Sequence, residues 1–187
     1  MMLPQRVVLA SGSPRRQELL KFVIPSFEVM PSSAPEEAEG HPAKRVVALA
    51  LVKARDIAAH CPDALVIGAD TLVALRGRVL GKPKDEAEAA SMLRLLSGHT
   101  HKVYTGLALI HGGHERTACC MTRVTFAPLT EDEISEYIAT REPMDKAGAY
   151  GIQGYGAKFI RKVNGCYFNV MGLPLHTLYT MLSKPGL

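Results

Sequence analysis

The sequence predicts an α/β fold, and three observations carry that prediction. Val7-Val8-Leu9-Ala10 reads as a buried strand that runs through the polar turn Ser11-Gly12-Ser13 into a helical pattern starting at Pro14. From Pro42 to His60 the apolar positions Val46, Val47, Leu49, Ala50, Ala54 and Ile57 recur at helical spacing. Ala64-Leu65-Val66-Ile67-Gly68-Ala69 is then a short, continuous, β-rich run, the pattern of a strand covered on both faces. Strand, helix and strand in alternation place helices against a sheet.

Composition narrows the function classes. A chain of 187 residues with 47% hydrophobic and 21% charged residues can bury a good core as one domain or two small lobes. No apolar run approaches the roughly 20 residues of a membrane span, and the apolar start is too short for a secretory signal, so a cytoplasmic protein is expected. Cys61, Cys119, Cys120 and Cys166 lack zinc-site spacing and are expected as reduced, packed thiols. The net charge of +4 comes without a basic run or interleaved aromatics, which disfavours nucleic acid and favours a small anionic ligand.

The elements follow in order. A helix over 14–22 gives way to alternation over Ser26–Met30, read as a strand, and then to a Pro-, Ser- and Glu-rich loop over 31–40 with Glu36, Glu37 and Glu39. The apolar strand ends at Asp70-Thr71, and a hairpin turning at Arg76-Gly77 follows. Gly81-Lys82-Pro83-Lys84 leads to a helix from Asp85 that Gly98 ends. Two long strands turn at Gly112-Gly113, and Thr130 with Glu133 forms a capping box for a helix to Ala139. Residues 142–154 form a glycine-rich loop too long for a connector. Asn164-Gly165 predicts a hairpin joining 157–163 to 166–170, and a last helix covers 173–182.

Several of these places invite chemistry. The Ser11–Ser13 turn offers hydroxyls and free N–H groups, and Arg15 and Arg16 add fixed charge with bidentate reach, a combination suited to a phosphate chain. The GxxxxGK[ST] spacing of a Walker loop is absent, and a capped helix with two solvated arginines accounts for the same residues. Lys53 lies on a helix, where lysines are usually solvated. Asp70 at a strand's carboxyl end stands where open α/β sheets bind ligands, although turn acids are common. Lys82 sits in a turn before a helix, a second place to meet phosphate. His111 and His114 flank a glycine tip, more often a solvated turn than a metal site.

Taken together, LASGSPRRQELL, LALVKA, GADT, GKPKD, LSGHTHKVYTG, EPMDKAGAYGIQG and NVMGLP resemble, in order and over almost the whole chain, the Maf family of nucleoside triphosphate pyrophosphatases. GADT with DKAGAYGIQG looks like the subgroup acting on dTTP and UTP. The resemblance implies a mixed, twisted sheet flanked by helices in two lobes around a deep cleft, and hydrolysis of a nucleoside triphosphate to monophosphate and pyrophosphate with Mg2+ or Mn2+. It also implies a homodimer. Asp70 matches the catalytic acid; Arg15, Thr71 and Gln153 match positions tied to substrate choice; Ser13, Arg16, Lys53 and Lys82 match the phosphate-binding set, to which the turn adds Ser11 and the charge adds Arg15. Asp70 and Glu36 are the expected metal ligands; the family's adjacent loop acids are replaced by Ser33-Ala34-Pro35-Glu36-Glu37, where Glu36 aligns best and Glu37 is the alternative. Rival readings are a pyrophosphatase for 7-methyl-GTP or damaged purine triphosphates, and a nucleotide-binding regulator of division without turnover.

Overall fold

The computed structural model describes residues 4–35 and 37–184. Its core strand β1 (Val7–Leu9), wholly buried, lies parallel between β2 (Glu28–Val29) and β3 (Leu65–Leu75). β1 feeds α1 (Pro14–Leu20), and α2 (Pro42–Ala58) joins β2 to β3. β4 (Arg78–Leu80) turns back on β3 through Arg76 and Gly77, both at positive φ, as a tight hairpin requires. Then come α3 (Glu86–Leu96), β5 (Thr100–His111), β6 (His114–Phe126) and α4 (Glu131–Ala139). Three short 3-10 turns cross 142–159 and lead into β7 (Ile160–Asn164), α5 (Tyr167–Met171) and α6 (Leu175–Ser183). The sheet runs β2-β1-β3-β5-β6-β7, with β4 also on β3. Parallel pairing around β1 and antiparallel pairing of β3–β4 and β6–β7 make it the mixed sheet expected.

The chain forms two compact units. The first ends its leading segment at Asp70 and adds Thr105–Cys120 and the segment from Gly172; the second holds Thr71–Tyr104 and Met121–Met171. In the first, α2 packs Ala50, Ala54 and Ile57 onto Val8, Val66 and Ala108. Two glycines permit that approach: a Cβ on Gly68 would strike the Ala50 carbonyl and come within 2.9 Å of Ala54 Cβ, and one on Gly106 would strike the backbone at Val46. In the second, Leu80, Leu93, Phe126, Ile134, Tyr137 and Phe159 are buried in one cluster.

Three expectations are corrected. The strand expected at 26–30 keeps only Glu28–Val29 in the sheet. The apolar strand does not end at Asp70-Thr71 but continues to Leu75, because the apolar residues beyond the polar pair find β4 as a partner. Residues 166–170 do not form a strand: β7 pairs with β6 instead, and after Gly165 (φ +125°) the chain enters α5, where buried Asn169 donates to Val103 O and Thr122 Oγ1, both at 3.0 Å. The thiols are all free, with Cys61 buried but Cys119 exposed. No helix among the described residues is long and apolar enough to cross a membrane.

Candidate active site

The first unit assembles its site from β1, α1, α2 and β3. β3 is paired with β1 at Leu65–Ile67 and with β4 at Val73–Leu75, so Asp70 falls in the stretch between the two pairings. Ala10 N donates to Ile67 O at 2.8 Å, and the Ser11–Ser13 turn therefore leaves β1 alongside the part of β3 that leads to Asp70. The strand that ends here is β1, whereas β3 runs on past Asp70.

Asp70 is 6% exposed, and Lys53 Nζ donates to its Oδ1 at 2.7 Å. Lys53 reaches it because Gly68, two residues earlier on β3, lets the backbone of α2 lie directly on the strand. The side chains are 12% and 9% exposed, so this ion pair is largely screened from water. Desolvation offsets much of the attraction within such a pair, but removing one partner leaves an uncompensated buried charge. Lys53, on a helix where lysines are usually solvated and matched by the resemblance to the phosphate-binding set, is held inward on an acid.

Ser13 is the N-cap residue of α1, but its side chain makes no cap bond; Ser13 N instead donates to Ser11 Oγ at 3.4 Å. Arg16 donates through Nε to Gly172 O at 2.9 Å and through Nη1 to Ser11 Oγ at 3.0 Å, which ties the turn to the segment before α6. Arg15, beside it, is half-buried. α1 has seven residues, so anion binding at this end would rest on the cationic side chains more than on a helix dipole.

Asp56, one turn along α2 from Lys53, accepts from Ser32 Oγ at 2.7 Å and from Ser33 N at 3.1 Å. The Ser32 hydroxyl above all, with the Ser33 amide, holds its carboxyl below the usual range against the opposing pull of desolvation. The acidic loop is anchored there; Glu37 is exposed, and Glu36 lies outside the described residues. Among the described residues no group of three or more His, Cys, Asp or Glu gathers to hold a metal. The donor set still fits magnesium or manganese, which take hard oxygen ligands and are commonly held by one or two carboxylates plus substrate phosphates. Asp70 offers one such carboxylate.

The second unit carries Thr71, half-buried on β3, and Lys82, exposed before the α3 N-cap residue Asp85, whose carboxylate accepts from Glu88 N at 2.7 Å. Gly148 N donates to Gly81 O at 2.9 Å, which fastens the Lys82 turn to the glycine-rich loop. Gln153 is exposed on that loop. Sequence reasoning missed Asp56, the Gly172 carbonyl that holds Arg16, and the Glu142–Tyr137 pair beneath Gln153. Only the three glycines at 151, 154 and 156 hinted at the last, because glycines bunch where a backbone must press against something.

Architecture and site together define a mixed α/β protein with a buried acid–lysine pair beside a serine- and arginine-bearing turn. The fold is shared with a HAM1 protein from Coxiella burnetii, at a TM-score of 0.55 and 18% identity, covering 97% of this chain and 99% of that one. Residues 6–185 match the model for Maf-like proteins, and the chain belongs to the Maf family. It is 50% identical over 184 residues to a dTTP/UTP pyrophosphatase of Carboxydothermus hydrogenoformans, covering 97% of this chain and 99% of that one. It is 54% identical over 185 residues to one of Moorella thermoacetica, covering 97% and 95%.

Proposed function

We propose that this chain hydrolyses dTTP and UTP, and modified uridine triphosphates of the same base edge, to the monophosphate and pyrophosphate, as a house-cleaning enzyme. The observation that carries the reading is the buried Lys53–Asp70 pair beside the Ser11–Arg16 turn, in a chain whose relatives bear that activity's name. Water attacks the α-phosphorus, the bond to the bridging oxygen breaks, and pyrophosphate leaves with that oxygen. Asp70 accepts the proton of the attacking water as general base. Because phosphoryl transfer leaves little covalent work for a protein, positioning and charge do most of the rest.

Lys53 is a long, flexible cation, and an arriving polyphosphate draws its charge while Asp70 turns to the attacking water. Arg15 and Lys82 add charge, Ser11 and Ser13 add donors, and Arg16, besides meeting phosphate, holds Ser11 in place. Asp70 and Glu36 would hold Mg2+ or Mn2+, which when bound neutralises phosphate oxygens. Thr71 and Gln153, with Arg15, set substrate choice: a carboxamide meets the N3–H and carbonyl of uracil or thymine with one acceptor and one donor, and cytosine inverts that edge. The chain acts as one functional domain, as a cytoplasmic homodimer, with neither nucleic acid nor membrane as partner.

The test is a panel of nucleoside triphosphates with detection of both pyrophosphate and monophosphate, with and without EDTA. UTP and dTTP should give both products in equal amounts, and EDTA should stop the reaction. Preferential hydrolysis of 7-methyl-GTP, or binding of UTP without turnover in Mg2+ or Mn2+, would overturn the reading.

A further inference from the structure

We propose that Glu142 and Tyr137 are positioning residues for base choice, holding the 151–156 segment so that Gln153 presents its carboxamide in one direction; this rests on the reading of Gln153 given above. Tyr137 Oη donates to Glu142 Oε1 at 2.8 Å and accepts from Gly151 N at 3.0 Å. Gly156 N donates to the same Oε1 at 3.1 Å, and Tyr155 N donates to Oε2 at 2.8 Å. Both ends of the segment are therefore bonded to one carboxylate–phenol pair, with Gln153 between them.

The glycines are shaped around this pair. Gly154 is at φ +82°, and a Cβ there would run into the Glu142 carboxylate; one on Gly156 would come within 2.7 Å of Tyr137 Oη, and one on Gly151 within 3.1 Å of Glu142 Oε1. The pair is itself fixed. Tyr137 is 1% exposed and packs edge-on to Phe159 at 5.2 Å between centroids, and burial pushes its phenol far above the ordinary value, which keeps the O–H in place as a donor. Arg141 at φ +64° turns the chain into Glu142, and Lys146 Nζ donates to the Glu142 carbonyl at 2.7 Å. Gln153 is exposed, so the backbone held by these bonds sets the place from which its carboxamide reaches a base. Hydrogen bonds weaken steeply off-line, and a carboxamide reaching from a loosened backbone would discriminate less between the edges of uracil and cytosine.

The experiment measures kcat and KM for UTP and CTP in wild type, Tyr137→Phe, Glu142→Gln, Gln153→Ala and the double variant Glu142→Gln/Gln153→Ala. Glu142→Gln turns an acceptor into a donor facing backbone N–H groups, and the UTP-to-CTP ratio of kcat/KM should fall about tenfold or more, as small misplacements of a binding group do. Tyr137→Phe, which removes one oxygen and keeps the ring, should lower the ratio less and stands in should Glu142→Gln not fold. In the Gln153→Ala background, Glu142→Gln should lower the ratio no further. A merely structural role would reduce UTP and CTP together, and an unchanged ratio in Tyr137→Phe and Glu142→Gln while Gln153→Ala shifts it overturns the proposal alone. An unchanged ratio in Gln153→Ala overturns the reading of Gln153 and the proposal with it.

Discussion

Asp70, buried, and Glu142, half-buried, are bonded carboxylates in different units, and their partners differ in kind. Asp70 faces the tip of a flexible lysine, whereas Glu142 is bonded to two backbone amides and a buried phenol. A carboxylate filled by backbone donors is committed to shape. One held by a long cationic side chain can change partners when a polyanion competes for that cation. The first unit thus sets its carboxylate against a cation that can move, and the second sets its own against fixed donors while burying His101 as a neutral ring. Burial alone drives His101 down to about 4, and its Nε2 lies 2.8 Å from Tyr150 Oη, with Phe126 and Tyr150 edge-on at 5.2 Å.

The contrast breaks most severely at Lys53. Lys53→Met leaves Asp70 buried without its cation and should lower stability by about 3 kcal/mol or more, read as the urea midpoint. His101 should reveal the second unit's dependence on neutrality. Its folded pKa lies below its unfolded value of 6.5, so its contribution is complete above pH 6.5 and disappears as pH falls toward 4. Over that window wild type should lose up to roughly 3 kcal/mol that His101→Gln, with no ring to protonate, does not lose. Gly68→Ala forces α2 off β3 and should cost about 1–3 kcal/mol, with hydrolysis falling as Lys53 and Asp70 separate. The smallest effect on stability, within about 0.5 kcal/mol, is expected for exposed Gln153→Ala, which should loosen selectivity for dTTP and UTP over CTP in kcat/KM.

Much of the fold was legible because its signals are local. Ser11-Gly12-Ser13-Pro14 marks strand, turn and helix whatever lies around it; Arg76-Gly77 and Gly112-Gly113 adopt positive φ as tight hairpins need; and Thr130 and Glu133 close the capping box the spacing predicts. Reading failed where the deciding partner is remote. Asn164-Gly165 looks like a hairpin turn, but β7 had already found β6, and Cys166–Val170 is too short for its periodicity to choose between helix and strand. Asp70-Thr71 looks like a strand end because two polar residues interrupt an apolar run, yet β4 extends the strand past them. Residue types and motif order pointed to Asp70 and Lys53, but not to the buried pairing between them. Arg16's acceptor, Gly172, lies 156 residues away, and nothing near either residue announces the bond.

The proposed hydrolysis depends on Asp70 as the group that takes the proton of the attacking water. Its most direct test is Asp70→Asn, followed by pyrophosphate release from UTP in Mg2+ or Mn2+ together with a UTP binding isotherm. Turnover should fall by about a thousandfold while UTP still binds, in keeping with loss of a general base. Pyrophosphate release at close to the wild-type rate from that variant would contradict it.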